Sequence, residues 1–139
     1  MLANSDIKIL IVEDDRDISF YMGRMLTSLG YTVFPAYALK EGLDKFNKES
    51  PDICVIDVYL RPLTLEESGI DFFRAALATG KKFKSLIVSG FCDEDLQEEI
   101  RRMPIDLFMP KPLDTDEFRA AINKLAESVK ENRNKNVDK

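Results

Sequence analysis

Apolar runs of strand length alternate along the chain with longer segments in which apolar residues recur at helical spacing. The short runs are rich in Val, Ile and Leu and occupy residues 7–12, 31–34, 53–58, 85–88 and 107–109. After the first run, one helix face is predicted from the spacing of Ile18, Met22, Met25, Leu26 and Leu29. Gly30 follows directly and is expected to end that helix.

Similar spacing after each later run predicts four more helices. Three of them are expected over residues 39–50, 70–78 and 93–102. The fifth is expected to be capped by Asp114. Its apolar stripe consists of Phe118, Ile122, Leu125 and Val129.

The short runs are apolar at nearly every position rather than at every second one. Such strands are buried on both faces, so helices must cover both sides of a parallel sheet. We therefore predict a doubly wound α/β fold. The length of 139 residues suits one domain, which we place at residues 1–131. Residues 132–139 lack apolar periodicity and are predicted to form a flexible C-terminal tail.

Composition narrows the classes of function. The net charge of −5 and the lack of a dense Lys/Arg block argue against nucleic-acid binding. No apolar run reaches the roughly 20 residues of a membrane span, and the first residues do not resemble a signal peptide, so we expect a cytoplasmic protein without membrane contact. Cys54 and Cys92 lie in no CxxC pair and are expected to be free thiols.

The chain contains no histidine. This excludes a Ser-His-Asp or Cys-His site, a histidine metal ligand and a phosphohistidine on this chain. Any chemistry must therefore rely on carboxylates, hydroxyls and lysine.

Polar residues follow four of the predicted strands. In an open parallel sheet, ligands bind beyond the carboxyl ends of the strands. Each polar residue has an ordinary structural explanation by itself, as a helix cap, a turn former or a loop cation. The residues in question are Glu13, Asp14 and Asp15 after the first strand, Asp57 after the third, Ser89 and Gly90 after the fourth, and Lys111 after the fifth.

Together these residues indicate a site for a phosphoryl group. Carboxylates that cluster at one sheet edge repel one another unless a cation neutralises them, and Mg²⁺ suits a site with a few oxygen ligands. A metal, an ammonium and a hydroxyl around a carboxylate can align a phosphoryl group and neutralise its charge. Asp57 is the best-placed nucleophile, since a carboxylate can form an acyl phosphate.

The ordered set of motifs resembles the receiver domains of two-component response regulators over about residues 6–130. The resemblance implies that Asp57 is the phosphoacceptor and that Asp14 binds a metal directly, Mg²⁺ or Mn²⁺. It implies that Glu13 binds the metal through water and that the main-chain carbonyl of Tyr59 is a further ligand. Asp15, which follows the acidic pair, is interpreted as a cap of the first helix.

Three further residues match the family's pattern. Ser89 falls on the switch hydroxyl, Lys111 on the lysine that pairs with the phosphoryl group, and Phe108 on the switch aromatic. The family also implies a cis peptide bond between Lys111 and Pro112. The implied fold is the flavodoxin-like five-stranded sheet of order 2-1-3-4-5 with five helices.

The resemblance implies a stand-alone receiver in a two-component system or phosphorelay. A histidine kinase or a histidine phosphotransfer protein would phosphorylate Asp57, and the face formed by the fourth helix, fifth strand and fifth helix would change its binding to an unknown downstream protein. The resemblance leaves open whether phosphorylation also leads to a homodimer. No dedicated enzyme is expected, apart from slow loss of the chain's own phosphoryl group.

Three alternatives are weaker. A receiver-like module that signals without phosphorylation would not need the intact set of Asp57, Ser89 and Lys111. An aspartyl phosphatase of the haloacid dehalogenase type would need an aspartate at the position of Tyr59. A nucleotide-binding domain would need a glycine-rich turn after the first strand, where Glu-Asp-Asp stands.

The segment after Asp57 departs from the family pattern. Leu60-Arg61-Pro62 replaces the usual Met-Pro, and Gly69, which opens the third helix, lies twelve residues after Asp57. We hypothesise that residues 63–67 contact a partner or shield the acyl phosphate. We also hypothesise that the bulk of Tyr59 slows hydrolysis of the acyl phosphate.

Overall fold

The computed structural model describes residues 2–58, 68–90 and 94–137, with side chains through residue 135. Five strands and five helices alternate, after a short 3₁₀ turn at Asn4–Asp6. The strands are β1 Lys8–Val12, β2 Thr32–Ala36, β3 Ile53–Asp57, β4 Lys84–Ser89 and β5 Leu107–Pro110. The helices are α1 Arg16–Ser28, α2 Leu39–Glu49, α3 Gly69–Ala78, α4 Glu94–Arg101 and α5 Thr115–Val137.

All strand pairs are parallel, and the sheet has the order β2-β1-β3-β4-β5. The predicted doubly wound, flavodoxin-like fold is therefore confirmed. β3 is central and is buried at every one of its positions. Among the described residues, no helix combines the length and the apolar character that crossing a bilayer requires.

A separate hydrophobic core lies on each face of the sheet. Neighbouring strand residues point to opposite faces, so Ile11 and Val55 pack with α1 and α5, whereas Val12 and Ile56 pack with α2 and α3. This explains why the strands are apolar at consecutive positions. Cys54 is a free, fully buried thiol, as predicted, and burial raises its pKa.

Predicted helix caps are found at two positions. The side chain of Asp15 accepts hydrogen bonds from the backbone nitrogens of Asp17 at 3.0 Å and Ile18 at 3.1 Å. The Asp114 side chain accepts one from the backbone nitrogen of Glu117 at 2.9 Å. Asp15 is thus the N-cap of α1, as the sequence suggested, and Asp114 caps the start of α5.

The C-terminal boundary differs from the prediction. α5 continues through Val137, so residues 132–137 extend the helix beyond residue 131, where the domain was predicted to end; the flexibility of the last residues stays a prediction. Arg133 explains the extension, because its guanidinium pairs with the carboxylate of Asp52 and donates to the carbonyl oxygen of Asp6 at 3.0 Å. These are polar contacts with distant segments, which apolar periodicity does not reveal.

Two smaller outcomes concern other sequence-based expectations. β2 extends through Pro35 to Ala36, beyond the predicted end at residue 34. Proline has no N–H to donate to a neighbouring strand, but β2 is an edge strand, so the sheet loses no hydrogen bond that it needs. The expectations for Tyr59, for the loop at 59–67 and for Cys92 fall outside the described residues.

Candidate functional site at the carboxyl edge of the sheet

The chemistry-bearing residues meet at one edge of the sheet, as predicted. Glu13 and Asp14 follow β1, Asp57 ends β3, Ser89 ends β4 and Lys111 follows β5. Since these strands are parallel, their carboxyl ends lie side by side. Glu13, Asp57 and Ser89 are buried, whereas Asp14 and Lys111 are partly exposed. The site is therefore built on strand ends and opens to solvent on one side.

Lys111 links the site electrostatically. Its Nζ donates to Glu13 Oε1 at 2.6 Å and to Asp57 Oδ2 at 3.3 Å. Its backbone nitrogen donates to the carbonyl oxygen of Ser89 at 2.8 Å, which joins the end of β5 to the end of β4. The peptide bond between Lys111 and Pro112 is cis, as expected. The close pair of Lys111 with Glu13 is a contact that the sequence analysis missed.

Burial and neighbouring charges shift the pKa values of Glu13 and Lys111. The pKa of Glu13 rises to about 7, first because burial penalises its charged form, and then because of the hydrogen bond and the negative charge of Asp57; Lys111 opposes this shift. For Lys111, burial lowers the pKa, but the hydrogen bond to Glu13 and the charges of Asp57 and Glu13 outweigh it, so the pKa is raised. The lysine thus stays charged, yet one cation does not balance all the carboxylates.

The carboxylates fit a hard divalent cation. Glu13, Asp14 and Asp57 each offer an oxygen atom, and these atoms lie within 4.8 Å of one another. Oxygen donors in a small cluster are what Mg²⁺ and Mn²⁺ take in proteins, with water in the remaining positions. The excess negative charge beyond Lys111 favours such an ion. Tyr59, the further expected ligand, lies outside the described part of the chain.

The start of α3 packs against the backbone of Asp57. The backbone nitrogen of Gly69 donates to the carbonyl oxygen of Val58 at 2.8 Å. A Cβ atom at Gly69 would lie 1.9 Å from the carbonyl oxygen of Asp57, so no other residue fits without a shift of the backbone. This close approach of Gly69 to Asp57 was not predicted from the sequence, which indicated only that Gly69 opens the third helix. The sequence signal that could have indicated this contact is the glycine itself, in the first turn of the helix that follows the strand of Asp57.

A capping box fixes this helix start. The Ser68 hydroxyl accepts from the backbone nitrogen of Asp71 at 3.2 Å, and the Asp71 carboxylate accepts from the backbone nitrogen of Ser68 at 2.9 Å. The two residues satisfy backbone donors that the helix itself leaves unpaired. α3 therefore begins at a defined position beside Asp57.

Phe108 lies in β5 with its side chain largely outward. It is 44% exposed. It borders a surface groove of about 340 Å³ together with Ile100, Met103 and Ile105. The predicted switch aromatic thus borders the surface groove between α4 and β5.

Comparison with known proteins gives a consistent picture. The family model of the response regulator receiver domain matches residues 9–123. Sporulation initiation phosphotransferase F of Bacillus subtilis is 26% identical over 117 residues, which cover 84% of this chain and 91% of that protein. Response regulator MprA of Mycobacterium tuberculosis is 28% identical over 126 residues, covering 89% of this chain but 52% of the relative. The chain therefore spans about half the length of MprA.

Solved structures show the same fold. A CheY-like response regulator receiver domain protein from Methanospirillum hungatei superposes with a TM-score of 0.77 at 24% identity, covering 93% of this chain and 98% of that one. Chemotaxis protein CheY4 of Vibrio cholerae superposes with a TM-score of 0.76 at 20% identity, covering 86% and 98%. With the family match over most of its length, the chain belongs to the response regulator receiver domains of two-component signal transduction.

Proposed function

We propose that Asp57 accepts a phosphoryl group from a phosphohistidine of a histidine kinase or histidine phosphotransfer protein. The observation that carries the proposal is the arrangement around Asp57. Its carboxylate lies 3.3 Å from the ammonium of Lys111 and within 4.8 Å of the carboxylate oxygens of Glu13 and Asp14. The donor histidine lies outside these 139 residues, which contain none.

In the transfer, a carboxylate oxygen of Asp57 forms a bond to phosphorus while the phosphorus–nitrogen bond of the donor breaks. The imidazole nitrogen leaves with the electron pair of that bond. Lys111 is positioned to pair with a phosphoryl oxygen, since its Nζ lies 3.3 Å from Asp57 Oδ2. Such a reaction depends mainly on alignment and on neutralising negative charge.

Glu13, Asp14, Asp57 and the carbonyl of Tyr59 would hold Mg²⁺ or Mn²⁺. A bound divalent ion supplies positive charge between the carboxylates and the phosphoryl oxygens. Glu13 has a second role in this proposal, because its 2.6 Å hydrogen bond holds the Lys111 ammonium at the mouth of the site. Burial of Glu13 at 1% exposure keeps that contact away from competing water.

The phosphoryl group then alters the surface for a downstream protein. Ser89 ends β4 next to the acceptor strand and would bind a phosphoryl oxygen through its hydroxyl. Phe108 lies one strand further and would turn from the surface toward Ser89. The face formed by α4, β5 and α5 would thereby change its preferred partner. The exposure of Phe108 beside an open groove supports this part of the proposal.

The test is intact-mass analysis of the full chain after incubation with Mg²⁺ and either acetyl phosphate or phosphoramidate. One added phosphoryl group is expected in the wild type, none in Asp57→Asn and none when EDTA replaces Mg²⁺. A signalling module that works through contacts alone would gain no mass with either donor or with a phosphorylated histidine phosphotransfer protein. Continuous phosphate release at enzyme-like rates would instead identify an aspartyl phosphatase.

A further inference from the structure

A second concave surface lies at the amino edge of the sheet, opposite Asp57. Asp52 directly precedes β3 and Lys84 begins β4, whereas Asp57 and Ser89 end these strands. The cavity here has a volume of about 460 Å³, and Arg133 of the extended α5 contributes to its wall. We call it the basal pocket; its cations are Lys81, Lys82, Lys84 and Arg133, and its apolar side consists of Leu77, Phe83 and Val129.

The basal pocket is positively charged on an acidic protein. It has four cationic side chains against one carboxylate, that of Asp52, while the chain as a whole has a net charge of −5. That one carboxylate is already engaged by Arg133 and by the backbone nitrogen of Lys8 at 2.8 Å. Asp52 therefore has little negative charge left to offer the lysines of the pocket.

The lysines themselves are weakly compensated. Lys81 Nζ donates to two neutral oxygens, the carbonyl of Asn47 and the hydroxyl of Ser50, each at 2.9 Å. Lys84 Nζ lies 3.8 Å from the carboxylate of Asp106. Lys82 is exposed and makes no hydrogen bond or ion pair with the residues that the structure describes. A ligand with several negative charges would find cations available to it.

The apolar side of the basal pocket is exposed to solvent and is supported by packed aromatic rings. Leu77 of α3 is 40% exposed, although it is a large apolar residue. Phe83 behind it packs edge-on against Phe46 and Phe73, with ring centroids 5.2 and 5.9 Å apart. A single apolar side chain placed here would cover Leu77 and add hydrophobic burial to the charge attraction.

The kind of charge favours a peptide over a compact anion. An arginine can hold a compact anion such as phosphate through two parallel hydrogen bonds, whereas these lysines are separate point charges on flexible stems. Arg133, the arginine of this pocket, is already paired with Asp52 and with the carbonyl of Asp6. Lys81, Lys82 and Lys84 are spread along one short segment beside an apolar surface, which matches carboxylates distributed along an extended chain.

We infer that the basal pocket docks an acidic peptide segment of a partner protein, anchored by one apolar side chain. The pocket and the phosphoacceptor lie at opposite ends of the strands, so the docked segment leaves Asp57 open to its phosphodonor. The partner thus gains a contact that does not depend on phosphorylation. Two linked contacts raise the overall affinity through effective concentration.

The probe is a capped peptide of Glu and Asp with one central Phe, added to the full ¹⁵N-labelled chain at low and at moderate salt. Amide shifts are expected in residues 77–84 and 129–135, with binding that weakens as salt screens the charges. Peptides with Gln and Asn in place of the acids, or with Ser in place of Phe, should bind more weakly. Neither metal nor phosphodonor is present, so a failure here leaves the proposed role of Asp57 untouched.

Matched charge reversals locate the interaction. Lys82→Glu should weaken peptide binding by about fivefold, since an exposed attraction becomes a repulsion. Lys40→Glu makes the same change at the exposed start of α2, near the other edge of the sheet, and should leave binding unchanged. Leu77→Ser should reduce binding of the Phe peptide to the level of the Ser peptide. Melting curves check that all variants fold.

Several results would overturn the inference. Shifts confined to other parts of the chain, or equal weakening by Lys82→Glu and Lys40→Glu, would show that the peptide does not occupy the basal pocket. Identical shifts with pyrophosphate at the same concentration would show a general anion site instead. Shifts of the same residues on raising the protein concentration without peptide would assign the pocket to a second copy of this chain.

Discussion

The α-carbon of Gly69 lies so close to Asp57 that an added Cβ atom would stand 1.9 Å from the Asp57 carbonyl oxygen. The first turn of α3 therefore rests directly on the backbone of the strand that carries the proposed phosphoacceptor. The Ser68 and Asp71 capping box holds this turn in place. The position of α3 is thus defined by contacts of its own first residues.

Gly69→Ala should lower the stability of the protein and slow the phosphorylation of Asp57. Because the clashing atoms belong to the backbone, α3 or the end of β3 must move, and we expect a loss of about 1 to 3 kcal/mol in the free energy of unfolding. Phosphorylation of Asp57 should slow as well. Urea unfolding and intact mass after treatment with acetyl phosphate measure the two effects. Gly23→Ala is the control, since a Cβ there meets nothing within 4 Å and should not reduce stability.

Mg²⁺ should raise the melting temperature of the wild-type protein, because a ligand that binds only the folded state stabilises it by mass action. Asp14→Asn should abolish most of this increase. Asp15→Ala should lower stability by about 1 kcal/mol through loss of the α1 cap, yet keep the response to Mg²⁺. An equal response in Asp14→Asn and the wild type would contradict the proposed ligand set.

Lys111→Gln should slow phosphorylation of Asp57 strongly, by about a hundredfold if the ammonium acts as a preorganised charge in the transition state. Rates of mass gain with phosphoramidate provide the measurement. Lys124→Gln, on the exposed side of α5, is the matched control and should react like the wild type. Similar rates for the two variants would remove Lys111 from the proposed mechanism.

Phe108 should become less exposed when Asp57 is phosphorylated. A fluorinated phenylalanine placed at position 108 would report this as a smaller ¹⁹F shift between H₂O and D₂O. The same probe at Phe20, which is 65% exposed on α1, should not respond. An unchanged signal from position 108 in fully phosphorylated protein would mean that this ring takes no part in switching.

Arg133→Ala should loosen the end of α5. It leaves the partly buried Asp52 without its guanidinium partner, and since the pair is partly exposed we expect a cost of about 1 kcal/mol. Hydrogen exchange of amides 130–137 should accelerate more than that of the rest of the helix. Arg119→Ala, at an exposed position of the same helix, should change neither quantity. Unchanged exchange in Arg133→Ala would show that other contacts hold the helix end.

The position of the acidic site could be predicted from local features. Glu13, Ser89 and Lys111 follow apolar runs and Asp57 stands near the end of one, and a parallel sheet brings the ends of such runs together. The caps at Asp15 and Asp114 could also be predicted from the sequence, since they depend on backbone groups within a few residues. In these cases the responsible interactions are short-range or follow from the alternation of strands and helices.

Other features depend on residues far apart in the chain. The 2.6 Å contact of Glu13 with Lys111 joins the segments that follow β1 and β5, and the clash that restricts position 69 to glycine depends on how α3 meets β3. α5 extends beyond residue 131, where the domain was predicted to end, because Arg133 meets Asp52 and Asp6 only in the folded protein. The sequence by itself determined the alternation of elements, the sheet and the edge at which polar residues gather. Only the tertiary structure decided which of these groups touch, how their burial shifts the pKa of Glu13, and that cations collect at the opposite edge. Pattern and spacing report local preference, whereas contact distances and burial arise from packing between distant segments.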